Sequence, residues 1–293
     1  MTWIIPALLR SLHNGRMKTA VHLQKILVPL DGTPRSESIL PYVEKLARTH
    51  QAHIELLRVI DPLGFTAEAP GGGLTAPDRD RVNLARKYLF DLKGRFDEGM
   101  VDSVCALGPV EEVICVRAKT QHCDLIAFAP RGQSGLKRWL FGSVAEAVIR
   151  QAPCPVLLVR GESNVHFHHV LLPLDESDQL ERLVQGIGPF LAPSTRLTLL
   201  HCCARAGVED GLRSRAREFV AGRPHTNFVA CDGQAPKGII DWAMDSDCDL
   251  IAMSTHGLGG LHHLWKGSVM EQVARHAPCP TLVFPPEWMD GGS

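Results

Sequence analysis

Ala129-Pro-Arg-Gly-Gln-Ser-Gly-Leu-Lys-Arg-Trp-Leu-Phe-Gly-Ser143 is the stretch on which the reading of this chain turns. It follows an apolar run, Leu125-Ile-Ala-Phe128, that reads as a buried strand, and it leads into Val144-Ala-Glu-Ala-Val-Ile-Arg150, which reads as a helix. A strand, a glycine-bearing loop and a helix start, in that order, make a place for an anion. Glycine lets the backbone come close, and the first amides of a helix have no partner inside it. Gly142 and Ser143 stand where that helix begins, so a phosphate there would accept from backbone N–H groups and from the Ser143 hydroxyl. An ordinary loop closed by an N-capping serine would use the same residues.

The chain carries the pattern twice. Ser254-Thr-His-Gly-Leu-Gly-Gly-Leu-His-His-Leu-Trp-Lys-Gly-Ser268 repeats the spacing: Gly132 matches Gly257, Gly135 matches Gly260, Gly142 matches Gly267 and Ser143 matches Ser268. The flanks repeat too. Cys123-Asp-Leu-Ile-Ala127 recurs as Cys248-Asp-Leu-Ile-Ala252, and Gln151-Ala-Pro-Cys-Pro155 recurs as His276-Ala-Pro-Cys-Pro280. A period this long marks a duplicated domain, not a solenoid repeat.

The pattern resembles the universal stress proteins in their two-domain, tandem form. Nucleotide-binding members of that family carry Gly, two residues, Gly, nine residues, then Gly-Ser or Gly-Thr. The resemblance covers nearly all of residues 25 to 285. Both copies keep the second glycine, the nine-residue gap and the Gly-Ser pair, and both depart at the first glycine, which is Ala129 in one half and Ser254 in the other. The residue before the second glycine, commonly His or Arg in the family, is Arg131 in the first half and His256 in the second.

Composition sets the bounds. At 293 residues the chain is long enough for two domains, and its apolar content of 45% supports packed cores. A net charge of −1 gives no electrostatic footprint for nucleic acid or an acidic membrane surface. No apolar run approaches the length of a membrane span. The nine cysteines form no CxxC, and Cys105, Cys115, Cys202 and Cys231 lie inside apolar runs, so they are expected to be buried free thiols in a reducing cytoplasm. Residues 1 to 24 are read as an N-terminal extension. Met17 reads as the functional start, or residues 1 to 16 as a loosely docked arm.

Ile26-Leu-Val-Pro-Leu30 then Asp31 reads as a strand ending in an acid, and His169-Val-Leu-Leu-Pro-Leu174 then Asp175 is its twin. Proline lacks an N–H, so Pro29 and Pro173 belong near strand ends. Ligands of open α/β sheets bind beyond the carboxyl ends of the strands, which is where Asp31 and Asp175 fall. Either could equally serve as an acid at a helix N-terminus. By the resemblance, these acids lie by the nucleoside, and the backbone near Val59 and Cys202, in the second strand of each half, meets an adenine.

Helices are expected over Ser36 to His50, with Ile39, Val43, Leu46 and Ala47 inward, and over Asp80 to Arg95. Gly211 to Ala221 is the shorter counterpart of the latter. Leu57 pairs with Leu200 at an offset of 143, and Gly108 pairs with Gly233 at an offset of 125, so the first half holds 18 more residues between them. The Gly/Pro-rich run from Asp61 to Pro77 accounts for them, as a lid over the first site or as a surface loop.

Strands alternating with helices imply a parallel sheet covered on both faces. The fold expected is α/β: two Rossmann-like domains, each a five-stranded parallel sheet of family order 3-2-1-4-5. The first spans residues 25 to 160 and the second 169 to 285, with a linker at 161 to 168 and a C-terminal tail at 286 to 293. The last strand of each half is an edge that in the family makes a two-fold dimer contact. Two fused halves could satisfy it internally as a pseudo-dimer, leaving further self-association open.

No Gly-x-Ser-x-Gly, HExxH or Walker lysine pattern accompanies the loops, so no catalytic residue is assigned. Lys137, Arg138, His262 and His263 could face phosphates or stand as solvated loop charges. His166, His168, His169 and His201 fit no recognised metal spacing, and no metal ligand is assigned. The resemblance implies a cytoplasmic stress-response protein binding ATP or a related adenine nucleotide, in one half or both, with Mg²⁺ as an optional companion. A holdase-like interaction protein of the same fold and a slow ATPase are the alternatives.

Overall fold

Ten short apolar strands with helices between them make the frame. The computed structural model describes residues 22–62, 75–130, 142–160, 165–175, 180–203, 214, 225–255 and 268–291. In the first half the order is β1 (Lys25–Pro29), α1 (Pro34–Glu37), α2 (Leu40–His50), β2 (His53–Ile60), α3 (Ala76–Lys93), β3 (Val101–Leu107), α4 (Val110–Thr120), β4 (Leu125–Phe128), α5 (Ser143–Gln151) and β5 (Val156–Leu158). The second half gives β6 (His169–Leu174), α6 (Leu180–Ile187), β7 (Arg196–Cys203), β8 (Thr226–Asp232), α7 (Ala235–Asp245), β9 (Leu250–Ser254), α8 (Val269–His276), β10 (Thr281–Phe284) and α9 (Pro286–Met289). The expected helix over Gly211 to Ala221 and nearly all of the first-half loop lie outside the described residues, as do residues 1 to 21.

All ten strands share one sheet, in the order β3-β2-β1-β4-β5-β10-β9-β6-β7-β8. Each half contributes a 3-2-1-4-5 array of parallel strands. The arrays join where β5 and β10 pair antiparallel, with Leu158 opposite Thr281, Leu157 opposite Leu282 and Val156 opposite Val283. The edge left by each half is thereby closed by the other, and β3 and β8 become the outer edges.

Successive strand residues point to opposite faces, so each face builds its own core. On one face Ile26, Leu56, Leu157, Leu172 and Leu282 pack under α2, α3, α6 and α9. On the other, Leu27, Leu57, Val156, Leu171 and Val283 pack under α4, α5, α7 and α8. Both cores run through the seam without a break. Phe167, between β5 and β6, lies 6.2 Å from Tyr42 of α2 and 5.8 Å from Phe190, ring centre to ring centre, so the segment entering β6 is docked on both halves.

Two helices and three cysteines differ from expectation. The helix over Ser36 to His50 is broken in two, because Pro41 has no N–H to return to the Glu37 carbonyl; α2 starts at Leu40 with the proline in its first turn. Helix α3 starts at Ala76, ahead of Asp80, because Thr75 caps it: its hydroxyl accepts from the Asp78 N–H at 3.3 Å and donates to Asp78 Oδ2 at 2.6 Å. It ends at Lys93, with Gly94 as its C-cap. Of the four cysteines expected inside, only Cys115 is buried; Cys105, Cys202 and Cys231 are half-buried, since they lie on or beside the outer edge strands.

The halves solve one structural problem differently at the amino ends of their central strands. Asp124 Oδ2 accepts from the N–H groups of Gln24 and Lys25 at 2.7 and 2.9 Å, and Asp249 Oδ2 accepts from those of His168 and His169 at 2.9 Å each. Above that shared clamp, the first half places Glu55, its side chain 4% exposed, between Lys25 and Arg117. The matching residues of the second half are Thr198, His169 and Trp242. There His169 Nδ1 lies 3.0 Å from Ser246 O and 2.9 Å from Arg196 Nη2, Nε2 lies 2.9 Å from Thr198 Oγ1, and the imidazole meets Trp242 edge-on at 5.4 Å. An ion triad in one copy is a histidine-centred hydrogen-bonded group, bordered by Arg196, in the other.

Helix α9 closes the fold at its C-terminal end. Trp288 packs on Phe284 at 4.9 Å and under the Arg182 guanidinium at 5.6 Å, and Met289 is buried. A Cβ on Gly186 of α6 would stand 2.4 Å from the Phe284 ring and 2.6 Å from the Trp288 ring. Gly186→Ala is therefore expected to destabilise the chain by about 1–3 kcal/mol through overpacking. Urea midpoints of the two proteins measure this, and equal midpoints would mean that α9 does not dock there.

Candidate functional site

The carboxyl end of β1 carries the first group of candidate residues. Pro29 is the last residue of the strand, opposite Leu57, and the ladder extends one step further as Leu30 N–H donates to Leu57 O at 2.8 Å. The chain then turns at once, with Gly32 at φ +79°, where a residue with a Cβ would be strained. Asp31 organises the turn: its Oδ1 accepts from Thr33 N–H at 2.9 Å and from Thr33 Oγ1–H at 2.5 Å. Thr33 in turn caps α1, its Oγ1 accepting from Ser36 N–H at 3.2 Å. Asp31 is thus held at the mouth of the sheet by bonds to its own loop.

Strand β4 lies beside β1, with Ile26 opposite Leu125 and Leu27 opposite Ile126. Chain connections leave β1 and β4 in opposite directions, so a crevice is expected between their carboxyl ends. Ala129 is buried just past β4, and α5 is the next described helix. Gly142 is the N-cap of α5, with φ −66° and ψ 155°, and Ser143 is the first helical residue. A Cβ on Gly142 would meet nothing within 4 Å among the described residues. Neither backbone conformation nor packing there demands a glycine. Val59, near the end of β2 opposite Ala106, completes the group.

The second half repeats the arrangement around β6 and β9, which pair at Val170–Leu250 and Leu171–Ile251. Pro173 lies opposite Leu200, and Asp175 follows the last residue of β6. Ser254 ends β9, and Cys202 stands in β7 opposite Cys231. Thr255 is tied to the end of β10, its N–H and Oγ1–H both donating to Phe284 O, at 3.1 and 3.3 Å. The helix start differs from its twin. Ser268 is the N-cap of α8 and its Oγ accepts from Glu271 N–H at 3.0 Å, whereas Ser143 lies inside its helix and makes no such cap bond. The Ser268 hydroxyl proton is not used by that bond. Glu271, in the first turn of α8, is 5% exposed and paired with Arg275 at 2.5 Å.

Arg131, Gly132, His256, Gly257 and Gly267 lie outside the described residues, as do Lys137, Arg138, His262 and His263. The described candidates gather on the carboxyl edges of their own strands. Since β5 and β10 run antiparallel, these two edges look toward opposite ends of the ten-stranded sheet. The histidines considered for a metal are dispersed: His166 stacks on His168 at 5.1 Å, His169 is buried at the amino end of β6, and His201 is buried in β7. Among the described residues, no group of three or more His, Cys, Asp or Glu side chains could hold a metal ion.

Sequence reasoning passed over a residue pair that shapes both mouths. Arg58 Nη1 donates to Leu30 O at 3.1 Å, and His201, its counterpart, bonds Leu174 O through Nδ1 at 3.1 Å. Each ties the second strand to the turn bearing the acid. His201 is 3% exposed, and its Nε2 has no hydrogen-bond partner among the described residues. A polar residue at matching positions near the carboxyl ends of the two strands, Arg58 and His201, was the available signal. Asp124 and Asp249 were likewise visible in the repeated Cys-Asp-Leu-Ile-Ala string, without a role attached.

Comparison with known proteins agrees with this geometry. The model of the universal stress protein family matches residues 22–160 and 204–285. A universal stress protein of Bacillus subtilis is 32% identical over 145 residues, covering 46% of this chain and 98% of the relative. One from Mycolicibacterium smegmatis is 25% identical over 292 residues, covering 89% of this chain and 97% of its own length. Among solved structures, a universal stress protein from Archaeoglobus fulgidus superposes with a TM-score of 0.71 at 22% identity, over 89% of this chain and 98% of that one, a likeness that speaks for the fold. With both copies of the strand, loop and helix pattern in one continuous sheet, the chain belongs to the universal stress protein family, in its tandem form.

Proposed function

We propose that this chain binds an adenine nucleotide, ATP or a close relative, at the carboxyl edge of each half, and that it acts as a cytoplasmic stress-response sensor without turning the nucleotide over. It is read as two fused domains, residues 25 to 160 and 169 to 285, joined by 161 to 168. The phosphates take the helix starts at Gly142–Ser143 and Gly267–Ser268, with Gly132 and Gly257 giving backbone access and Arg131 and His256 alongside. The ribose and base take the side of Asp31 and Val59, or Asp175 and Cys202. Mg²⁺ accompanies the phosphates where it is bound.

The observation that carries this reading is the twofold arrangement itself: an acid at the end of a central strand, next to a second strand whose following helix points its unpaired amides the same way. Such helix starts favour anions. Titration calorimetry of the full chain with ATP tests it. Gly142→Val suits the extended backbone at that position and meets open space in the described residues. It is expected to leave stability within about 1 kcal/mol. It should weaken the first site by about tenfold to a hundredfold, the loss of one or two charge-assisted hydrogen bonds of about 1.5–3 kcal/mol. Unchanged affinity at both sites in this variant and in Gly267→Val would exclude the helix starts as phosphate sites. No binding to the unmodified chain would leave the interaction-protein reading.

A further inference from the structure

The halves part company at one spot under α4 and α7. In the first half Val59 of β2 stands opposite Ala106 of β3, and both join Val113 of α4 in one aliphatic cluster. The three matching residues of the second half are Cys202, Cys231 and Gly238. Cys202 and Cys231 are directly opposed across β7 and β8. A Cβ on Gly238 would stand 3.0 Å from both sulfurs, so the glycine leaves room that the two thiols fill. Both thiols are free and half-buried. Neighbouring strands lie about 4.8 Å apart, inside the Cα separation of about 4.4–6.8 Å that a disulfide spans. Three changes at one contact, each fitting the other two, make a matched set.

We propose that Cys202 and Cys231 form a redox pair that closes to a disulfide across β7 and β8 under a hydroperoxide. One sulfur, losing its proton, attacks the peroxide; the O–O bond breaks, the sulfur becomes a sulfenic acid, and the alkoxide or hydroxide leaves with that proton as alcohol or water. The second thiol attacks the sulfenyl sulfur, the S–O bond breaks, and water leaves with the second proton. Two thiols and one hydroperoxide give one disulfide, one alcohol or water, and one further water. Burial, with the neighbouring Cys231, holds the Cys202 thiol protonated, so its attack on peroxide is slow and closure is expected over long exposure, not as a fast response. The neutral disulfide leaves no charge in the same half-buried place. Coupling to the second site rests on the nucleotide reading above: the bond would reshape the end of β7 where the base is expected.

The test treats the full chain with hydrogen peroxide, alkylates the remaining thiols and maps the peptides. The expected product joins the Cys202 and Cys231 peptides, is lighter by two hydrogens, and reverts with dithiothreitol. It persists in Cys203→Ser and is absent in Cys231→Ala, which installs the residue the first half already carries. Full alkylation of both thiols after peroxide, or a bond through Cys203 instead, overturns the pair. ATP titrations then compare oxidised and reduced chain, with a loss of about tenfold expected at the second site alone. A closed disulfide with unchanged affinity overturns the coupling. Absence of ATP binding in both states counts against the nucleotide reading and leaves the mass result standing.

Discussion

Leu282→Asp is expected to unfold the whole chain, not merely to part its halves. Leu282 is fully buried and sits opposite Leu157 at the antiparallel seam, within a core shared by α2, α3, α6 and α9. Deleting a buried leucine alone costs about 2–5 kcal/mol. A carboxylate there has no partner, which adds several kcal/mol more or forces the group to protonate. The sum approaches the total of about 5–15 kcal/mol that holds a domain folded. Circular dichroism during urea unfolding measures it. The expected result is a single transition lost or shifted far down for both halves together. Two independent transitions, one near the unmodified midpoint, would show that the seam does not couple the halves.

The second large effect lies at Glu55. Its carboxylate is held by Lys25 at 2.9 Å and by Arg117, in a place that is only 4% exposed. Burial works to raise its pKa, and the hydrogen bonds and charges of Arg117 and Lys25 outweigh burial, so the group titrates below the ordinary carboxylate range. Glu55→Ala leaves two cations facing each other and is expected to cost about 3–5 kcal/mol. The second half suggests the repair. Lys25→His and Arg117→Trp, added to Glu55→Thr, install the side chains of His169, Thr198 and Trp242, and should recover most of the loss. Recovery no better than the single variant would mean that the two triads are not interchangeable solutions.

The same contrast sets an order for acid unfolding. Glu55 has a lowered folded pKa, so its contribution is present above the unfolded value, about 4.3, and is lost as pH falls below it. His169 is also lowered, chiefly because burial disfavours its charged form. Its contribution is present above about pH 6.5 and is lost as pH falls through the lowered folded value, since the unfolded chain then binds the proton more readily. Stability should therefore decline first as pH falls below about 6.5, from His169 and from His50 of α2, whose folded value burial also lowers, and again below about pH 4.3, from Glu55. In the triple variant the lower step should shrink and the upper step should grow, as a second buried histidine replaces the carboxylate. Urea midpoints against pH read both.

Much of this architecture was legible in the residues. The apolar runs of β1, β2, β4 and their twins marked parallel strands buried on both faces, and the repeated Gly-Ser before Val144 and Val269 marked the helix starts. The inward face of α2 followed from helical spacing, with Val43, Leu46 and Ala47 all buried, as is Ile39 just ahead of it. Element ends were less legible. The break at Pro41 and the cap at Thr75 depend on single hydrogen bonds, which shift a boundary without altering the periodic pattern. At the site, residue types were readable but roles were not: Ser143 and Ser268 match in the alignment of the halves, yet only Ser268 is an N-cap.

By itself the sequence determined the duplication, the strand and helix alternation, and the grouping of acid, glycine and serine at strand ends, because these are local patterns with their own periods. That the halves would meet at their last strands came only through the family resemblance; tertiary structure decided that those strands pair antiparallel in one sheet, with the carboxyl edges at opposite ends. It also decided that Glu55 and His169 answer one packing problem in two ways, and that Cys202, Cys231 and Gly238 meet at one point. Those facts depend on strand pairing and helix docking between residues far apart in the chain, and the short-range order of side chains carries no record of which distant neighbour each will meet.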